Sequence, residues 1–273
     1  MVRTLPVIKA MNHAIKSTTD NIAFAFHISW PWILMLLPLN VATNIYVILN
    51  GLQPQNAGEP DLAAIGKFFM VSAPLAIASI IAYASIAVNW HRYILKDEIA
   101  QGWQRLRVDG LMWRYIGNFI LIFLLVMAGT FGASIGFVLA GLILKAVFGE
   151  TLMAVILIPP SIALYIYVIA ATYRLSVKLP AVALGRRDFS MRDVWTATGG
   201  NNWRLLGLLG LFSVCIALVG LGTLLGTLIF SNFGTIGLSI SVAIQVMVNW
   251  VATILGVTLL TSLYGFFVEG REF

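Results

Sequence analysis

Trp113-Arg114-Tyr115-Ile116-Gly117 and Trp203-Arg204-Leu205-Leu206-Gly207 decide the fold, with Trp30-Pro31-Trp32-Ile33-Leu34 as a looser counterpart. Each opens a long apolar stretch, and each stretch is followed by a second that runs back. An indole ring is at home where headgroups meet hydrocarbon, and a neighbouring Arg keeps its charge in water. The pattern predicts one helical hairpin used three times, every copy pointing the same way.

Composition sets the solvent. The 273 residues are 60% hydrophobic and 10% charged, with a mean hydropathy of +0.93. Soluble domains carry about 25% charged residues. Too little polar surface exists to face water on all sides, so a soluble or secreted protein is excluded. Six stretches reach the roughly 20 residues needed to cross a bilayer core as helix, near 28–50, 67–92, 115–142, 151–173, 205–230 and 237–266. Helices are required because backbone amides find no water in lipid. The runs are continuous rather than alternating, which argues against a β-barrel. No uninterrupted apolar segment of a cleavable signal is expected in residues 1–21, which hold Arg3, Lys9, His13, Lys16 and Asp20.

Basic residues orient the spans. Fifteen of the 17 Lys and Arg fall in the N-terminal segment, the second-to-third and fourth-to-fifth connections and the tail; Lys67 and Lys145 are on the other side. The positive-inside rule then places both termini in the cytoplasm. The net charge of +6 follows from these loops and calls for no nucleic acid. On the opposite side, 50–61 reads as an irregular polar loop containing Gln53, Pro54, Gln55, Asn56, Gly58 and Pro60. Tight turns are expected at 148–150 and 231–237.

Repetition extends past the Trp positions. Tyr83…Arg92-x-x-x-Lys96 closes the second span and Tyr165…Arg174-x-x-x-Lys178 the fourth; Gly110-x-x-Trp113-Arg114 matches Gly200-x-x-Trp203-Arg204. The expected fold is all-α: a polytopic membrane protein with six transmembrane helices as three tandem hairpins and short cytoplasmic amphipathic helices. It forms a single integral membrane domain with units of about 1–94, 95–178 and 179–273, related by an axis along the membrane normal. Recurrence of Trp and Arg at any interface is the plainer account. The amphipathic segments are a helix after Pro6 with Val7, Met11, Ala14 and Ile15 on one face, a stripe of Ile99, Trp103 and Leu106, and a turn capped by Ser190 with Asp193, Val194 and Trp195. They either lie in the headgroup layer or pack on one another as a cytoplasmic cap.

Chemistry is sparse. No Asp, Glu, Lys or Arg falls in the middle of a span, which argues against proton coupling. His13, His27 and His91 are near the basic side and are expected to hydrogen-bond at interfaces. No metal, other cofactor or catalytic residue is expected. Cys215 has no partner Cys and reads as a packing residue. Gly185, Gly199 and Gly200 read as turns. Arg92, Lys96, Arg114, Arg174, Lys178 and Arg204 are candidates for an anionic lipid headgroup, or simply determine topology. Asn40, Asn44, Asn118, Gln245 and Asn249 are candidates for a polar cavity, or are interhelical glue together with Thr130. Gly132-x-x-x-Gly136-x-x-x-Ala140 and Gly222-x-x-x-Gly226 read as packing seams, expected to meet near a common axis or to join two chains. Pro38, Pro74 and Pro159-Pro160 predict kinks.

Residues 174–211 carry a resemblance. They read Arg-Leu-Ser-Val-Lys-Leu-Pro-Ala-Val-Ala-Leu-Gly, then Trp195-Thr-Ala-Thr-Gly-Gly, then Asn-Trp-Arg-Leu-Leu-Gly. This is similar to the membrane domain of some bacterial glycerophosphodiester phosphodiesterases and to related six-span bacterial membrane proteins. The resemblance implies a helical membrane domain and not an activity, because that reaction resides in a separate soluble barrel. The expectation is a non-enzymatic, multi-pass protein of the bacterial inner membrane that organises the membrane or binds a lipid, anionic or not, a protein partner or a second copy. A permease or channel for a small neutral or amphipathic solute is the alternative.

Overall fold

The computed structural model describes residues 3–52 and 62–273. The polar loop expected at 50–61 therefore lies, from Gln53 onward, outside the described residues. The elements in order are α1 (Val7–Asp20), α2 (Ile22–Leu49), α3 (Leu62–Lys96), a 3-10 turn (Gly102–Leu106), α4 (Gly110–Ser176), α5 (Lys178–Ala183), α6 (Met191–Ala197), α7 (Asn202–Phe230), a 3-10 turn (Ser231–Phe233) and α8 (Gly234–Phe267). Among the described residues no strand occurs.

Four helical stretches are long and apolar enough to cross a bilayer: Ile22–Leu49, Ile65–Lys96, Gly102–Ala183 and Asn202–Phe267. Their surfaces outside the core carry Phe123, Leu124, Phe131, Leu139, Leu142, Ile143, Leu221 and Leu228, all exposed. So much contiguous apolar surface is untenable in water. This is a multi-pass membrane protein.

The last two stretches span 82 and 66 residues, several times what one crossing needs. Both contain a reversal. Inside α4, Gly149 takes φ 79°, ψ 175°, a region that essentially only glycine visits. Beyond it the chain returns along itself: a Cβ on Gly141 would touch Leu157 Cδ1 at 3.4 Å, although in a straight helix these residues are about 24 Å apart. Between α7 and α8, Gly234 takes φ 62°, ψ −146°, and the Gly256 backbone meets Phe212 of α7. Helical backbone runs through Pro31, Pro38, Pro74 and Pro159-Pro160. The break in α4 falls at Gly149, inside the tight turn expected at 148–150.

The core is polarised. Its three clusters sit at the end of the bundle that carries the basic segments. The first joins Leu5, Met11, Ala14, Val177, Val194, Leu205, Leu208, Leu263 and Tyr264. The second joins Ala84, Val88, Met112, Tyr115, Ile116, Val182 and Ala183. The third joins Ala25, Ile28, Trp32, Ile86, Trp90 and Ile254. Towards the far end burial thins out: α4 has no buried side chain between Ile122 and Ala170, and α7 none after Leu209.

The amphipathic segments resolve as parts of this packed end. α1 lies on α7 and α8 through Ala10, Met11, Ala14 and Thr18. That face is turned from the expected one, and Ile15 is exposed. The Ile99, Trp103, Leu106 stripe forms no α-helix; it is the 3-10 turn, with Trp103 87% exposed. α6 starts as its sequence suggests: Ser190 Oγ accepts from Asp193 N at 3.2 Å, and Asp193 Oδ2 accepts from Ser190 N at 2.8 Å. The glycine seams, in contrast, do not pack inside the chain. A Cβ on Gly132, Gly136, Gly222 or Gly226 would meet nothing within 4 Å, so no common axis joins them.

Gly237 is the opposite case. A Cβ there would stand 1.8 Å from the Phe230 carbonyl oxygen. Gly237→Ala is therefore expected to lower thermal stability in detergent by about 3 kcal/mol or more, because backbone has to move. Gly226→Ala, in open space, is expected to change it by no more than about 1 kcal/mol, in the stabilising direction. Equal melting points for the two variants would contradict the reversal described here.

Candidate functional site

At the basic end, cations from distant segments enter the carboxyl ends of helices. The last carbonyls of a helix have no partner within it and carry a partial negative charge. Arg92 Nη1 donates to Ala183 O at 3.1 Å, and Lys96 Nζ to Leu184 O at 3.1 Å, closing α5. Arg271 Nη2 donates to Leu95 O of α3 at 3.1 Å, and Arg3 Nη1 to Phe266 O of α8 at 3.1 Å. Arg174 closes α6 by donating to Trp195 O. It also bonds Thr198 Oγ1 and Asn202 Oδ1, both at 3.0 Å, and lies over the Trp195 ring at 3.6 Å. The motif Trp195-Thr-Ala-Thr-Gly-Gly-Asn-Asn-Trp is thus a receptacle for one buried guanidinium.

Carboxylates complete the network. Glu98 receives Arg92 and Arg107, the latter at 3.2 Å. Arg107 also approaches Asp109 at 3.6 Å, and Asp109 Oδ1 accepts from Leu111 N and Met112 N at 3.0 Å, capping α4. The hydrogen bond from Arg92 is the main reason that Glu98 titrates below its ordinary range. Asn201 ties in the N-terminus: Leu5 N donates to its Oδ1 at 2.9 Å, and its Nδ2 donates to Arg3 O at 2.9 Å. Arg3, Glu98, Asn201 and Arg271 were not singled out from the sequence. Nothing in the local spacing of Arg3, Asn201 or Arg271 announces partners more than 170 residues away; Glu98, an acid close behind Arg92, was the one legible partner.

Of the six headgroup candidates, Arg92, Lys96 and Arg174 are committed to helix ends. Arg204 is exposed, with one long contact to Leu5 O at 3.4 Å. Arg114 and Lys178 are half-buried and form no ion pair among the described residues.

The histidines connect elements. His91 is buried between Thr261 Oγ1 at 2.8 Å and Tyr115 OH at 3.3 Å, which joins α3, α8 and α4. His27 bonds Ala100 O at 3.1 Å, and His13 bonds Ser262 Oγ at 3.0 Å. Burial holds the His13 imidazole below its ordinary 6.5.

Below this end, voids lie between helices. A small cavity of about 80 Å³ between α2, α3 and α8 brings together Asn40, Gln245 and Asn249, with Trp32, Tyr83 and Trp250 in its wall. Asn44 is attached to it indirectly, donating to Asn40 O at 2.9 Å. Asn118 does not join; it donates to Arg114 O of its own helix at 2.9 Å, and Thr130 likewise bonds Val126 O. A cleft of about 430 Å³ opens between α3, α4 and α8, lined by Ile80, Phe119, Val257 and Leu260 and by the hydroxyl-bearing Tyr83, Tyr115, Thr172, Tyr173, Ser176 and Thr253. A groove of about 680 Å³ separates α7 from α8.

Arg174→Lys is expected to cost about 1.5–3 kcal/mol in a detergent melt, since an ammonium cannot hold three acceptors in a fork and stack as well. Arg204→Gln is expected to stay within about 0.5 kcal/mol. The pH dependence follows from His13. Its folded form favours the neutral ring, so the stability it confers is complete above pH 6.5 and is lost as pH falls below that value. Glu98 adds a further loss below pH 4.5. Melting curves from pH 8 to 5 should fall for the wild type and fall less for His13→Asn.

No protein-family model, no curated protein and no solved structure matches the chain.

Proposed function

We propose that this chain is a non-enzymatic protein of the bacterial inner membrane that holds a phospholipid between its helices. The reversals at Gly149 and Gly234 support six crossings in three hairpins, the outer turns lying opposite the basic end. The positive-inside rule supports a cytoplasmic basic end and two cytoplasmic termini.

The cleft between α3, α4 and α8 carries the lipid reading. Its volume lies in the range of sites that hold small organic ligands between bundle helices. Its wall is apolar with hydroxyls along it, which suits an acyl chain running up to a glycerol ester. Ser176, Leu179 and Tyr115 line the cleft, and Lys178 and Arg114 are their neighbours in sequence. Neither cation forms an ion pair or closes a helix end among the described residues. A phosphate beside them would gain roughly 1 kcal/mol per cation. The resemblance of 174–211 to lipid-enzyme membrane domains points the same way by analogy.

Native mass spectrometry from nanodiscs tests this. The wild type should retain phospholipid, anionic over neutral, and melt higher in anionic than in neutral liposomes. Thr253→Phe should remove the retained lipid by filling the cleft. Arg114→Gln with Lys178→Gln should abolish the headgroup preference while lipid is still retained. Unchanged lipid content in Thr253→Phe, or equal melting points in both liposomes, would refute the reading.

A further inference from the structure

Gln245 and Asn249 are one turn apart on α8 and border two voids at once, the cavity against α2 and α3 and the groove against α7. They lie about three turns from the start of α8 and about five from its end, inside its apolar span, and both are exposed. Among the described residues neither side-chain amide has a hydrogen-bond partner. The indole Nε1 of Trp250, in the cavity wall, is buried and also lacks one. Unpaired amides are costly in hydrocarbon, and here three polar groups converge unpaired on one place.

The lining residues decide what fits. Neither void is bordered by Asp, Glu, Lys, Arg or His, so nothing there would match a phosphate or a carboxylate. The cavity's 80 Å³ is room for two or three waters at about 30 Å³ each, too little for a solute path. The groove is long and lined by Ile216, Val219, Leu224, Val248 and Leu255. An apolar chain with a small, uncharged, hydrogen-bonding head satisfies both spaces.

We propose that the Gln245–Asn249 turn is a second ligand site, distinct from the phospholipid cleft. It takes a neutral single-chain amphiphile that enters sideways from the bilayer. The chain lies in the α7–α8 groove. Its hydroxyl, ester or amide head bonds the Gln245 and Asn249 amides and accepts from the Trp250 indole. The amides thereby serve as the hydrogen-bonding end of a lateral port.

The test uses the full chain in phosphatidylcholine nanodiscs with a photoreactive monoacylglycerol carrying a diazirine in its chain. Labelling should be saturable, map to α7 and α8 around the groove, and fall about tenfold in apparent affinity in Gln245→Leu/Asn249→Leu. Leucine suits a lipid-facing helix, so this variant keeps its fold, and its melting point should equal or exceed the wild type's. A diazirine alkane of equal length should label at least tenfold more weakly. Non-saturable labelling, equal labelling by the alkane, an unchanged affinity in the double variant, or cross-links to a second copy of the chain would overturn the proposal. Failure here is separable from failure of the phospholipid cleft, whose readout is lipid retained by the wild type and lost in Thr253→Phe.

Discussion

A guanidinium or ammonium seated in the carboxyl end of a helix is the interaction on which this architecture depends. Helix ends in a membrane protein emerge where water is scarce and neighbours are crowded, and their terminal carbonyls require donors. Here α3, α5, α6 and α8 each receive a cation from another segment: Arg271, Arg92, Arg174 and Arg3. Each such bond is charge-assisted and aligned with the helix dipole. Because donors and acceptors are far apart in sequence, the same bonds draw both termini and the two basic connections into one layer. Positive charge that orients a membrane protein during insertion is thus used a second time, as mortar.

That layer explains the distribution of packing. Apolar side chains close to it are held in register and become buried, from Leu5 and Met11 to Leu263 and Tyr264. Away from it, no driving force beyond dispersion brings helices together, because lipid tails solvate leucine as well as leucine does. The sparsely buried halves and the voids between them are a result of the same constraint. Both ligand proposals occupy those voids, the charged head near the basic layer and the neutral one farther out.

The sequence was legible where the physics is local or periodic. Apolar length marked where the long apolar helices lie, though α2, α3 and α4 start five or six residues earlier, and Ser190 with Asp193 announced the start of α6. Basic residues were assigned to the correct end of the bundle, but their partners were not foreseen. A lone Arg174 is indistinguishable from a headgroup ligand until Trp195, Thr198 and Asn202 are seen around it. The second amphipathic segment failed because three apolar residues at helical spacing do not outweigh Gly102 at positive φ. The glycine seams do not meet within the chain for another reason: small residues permit close approach and do not enforce it. Gln245 and Asn249 were flagged by polarity alone; that Asn40 meets them and Asn118 does not depends on tertiary placement, which one chain read in isolation does not encode.

The concentration of buried side chains at one end has a mechanical corollary. Helices clamped at a single end are cantilevers. Lateral pressure from the bilayer acts on their free tips with the longest lever arm, and bending there requires the loss of few contacts. Rotation about the clamped layer changes the spacing between helices most where the Gly149 and Gly234 hairpins turn.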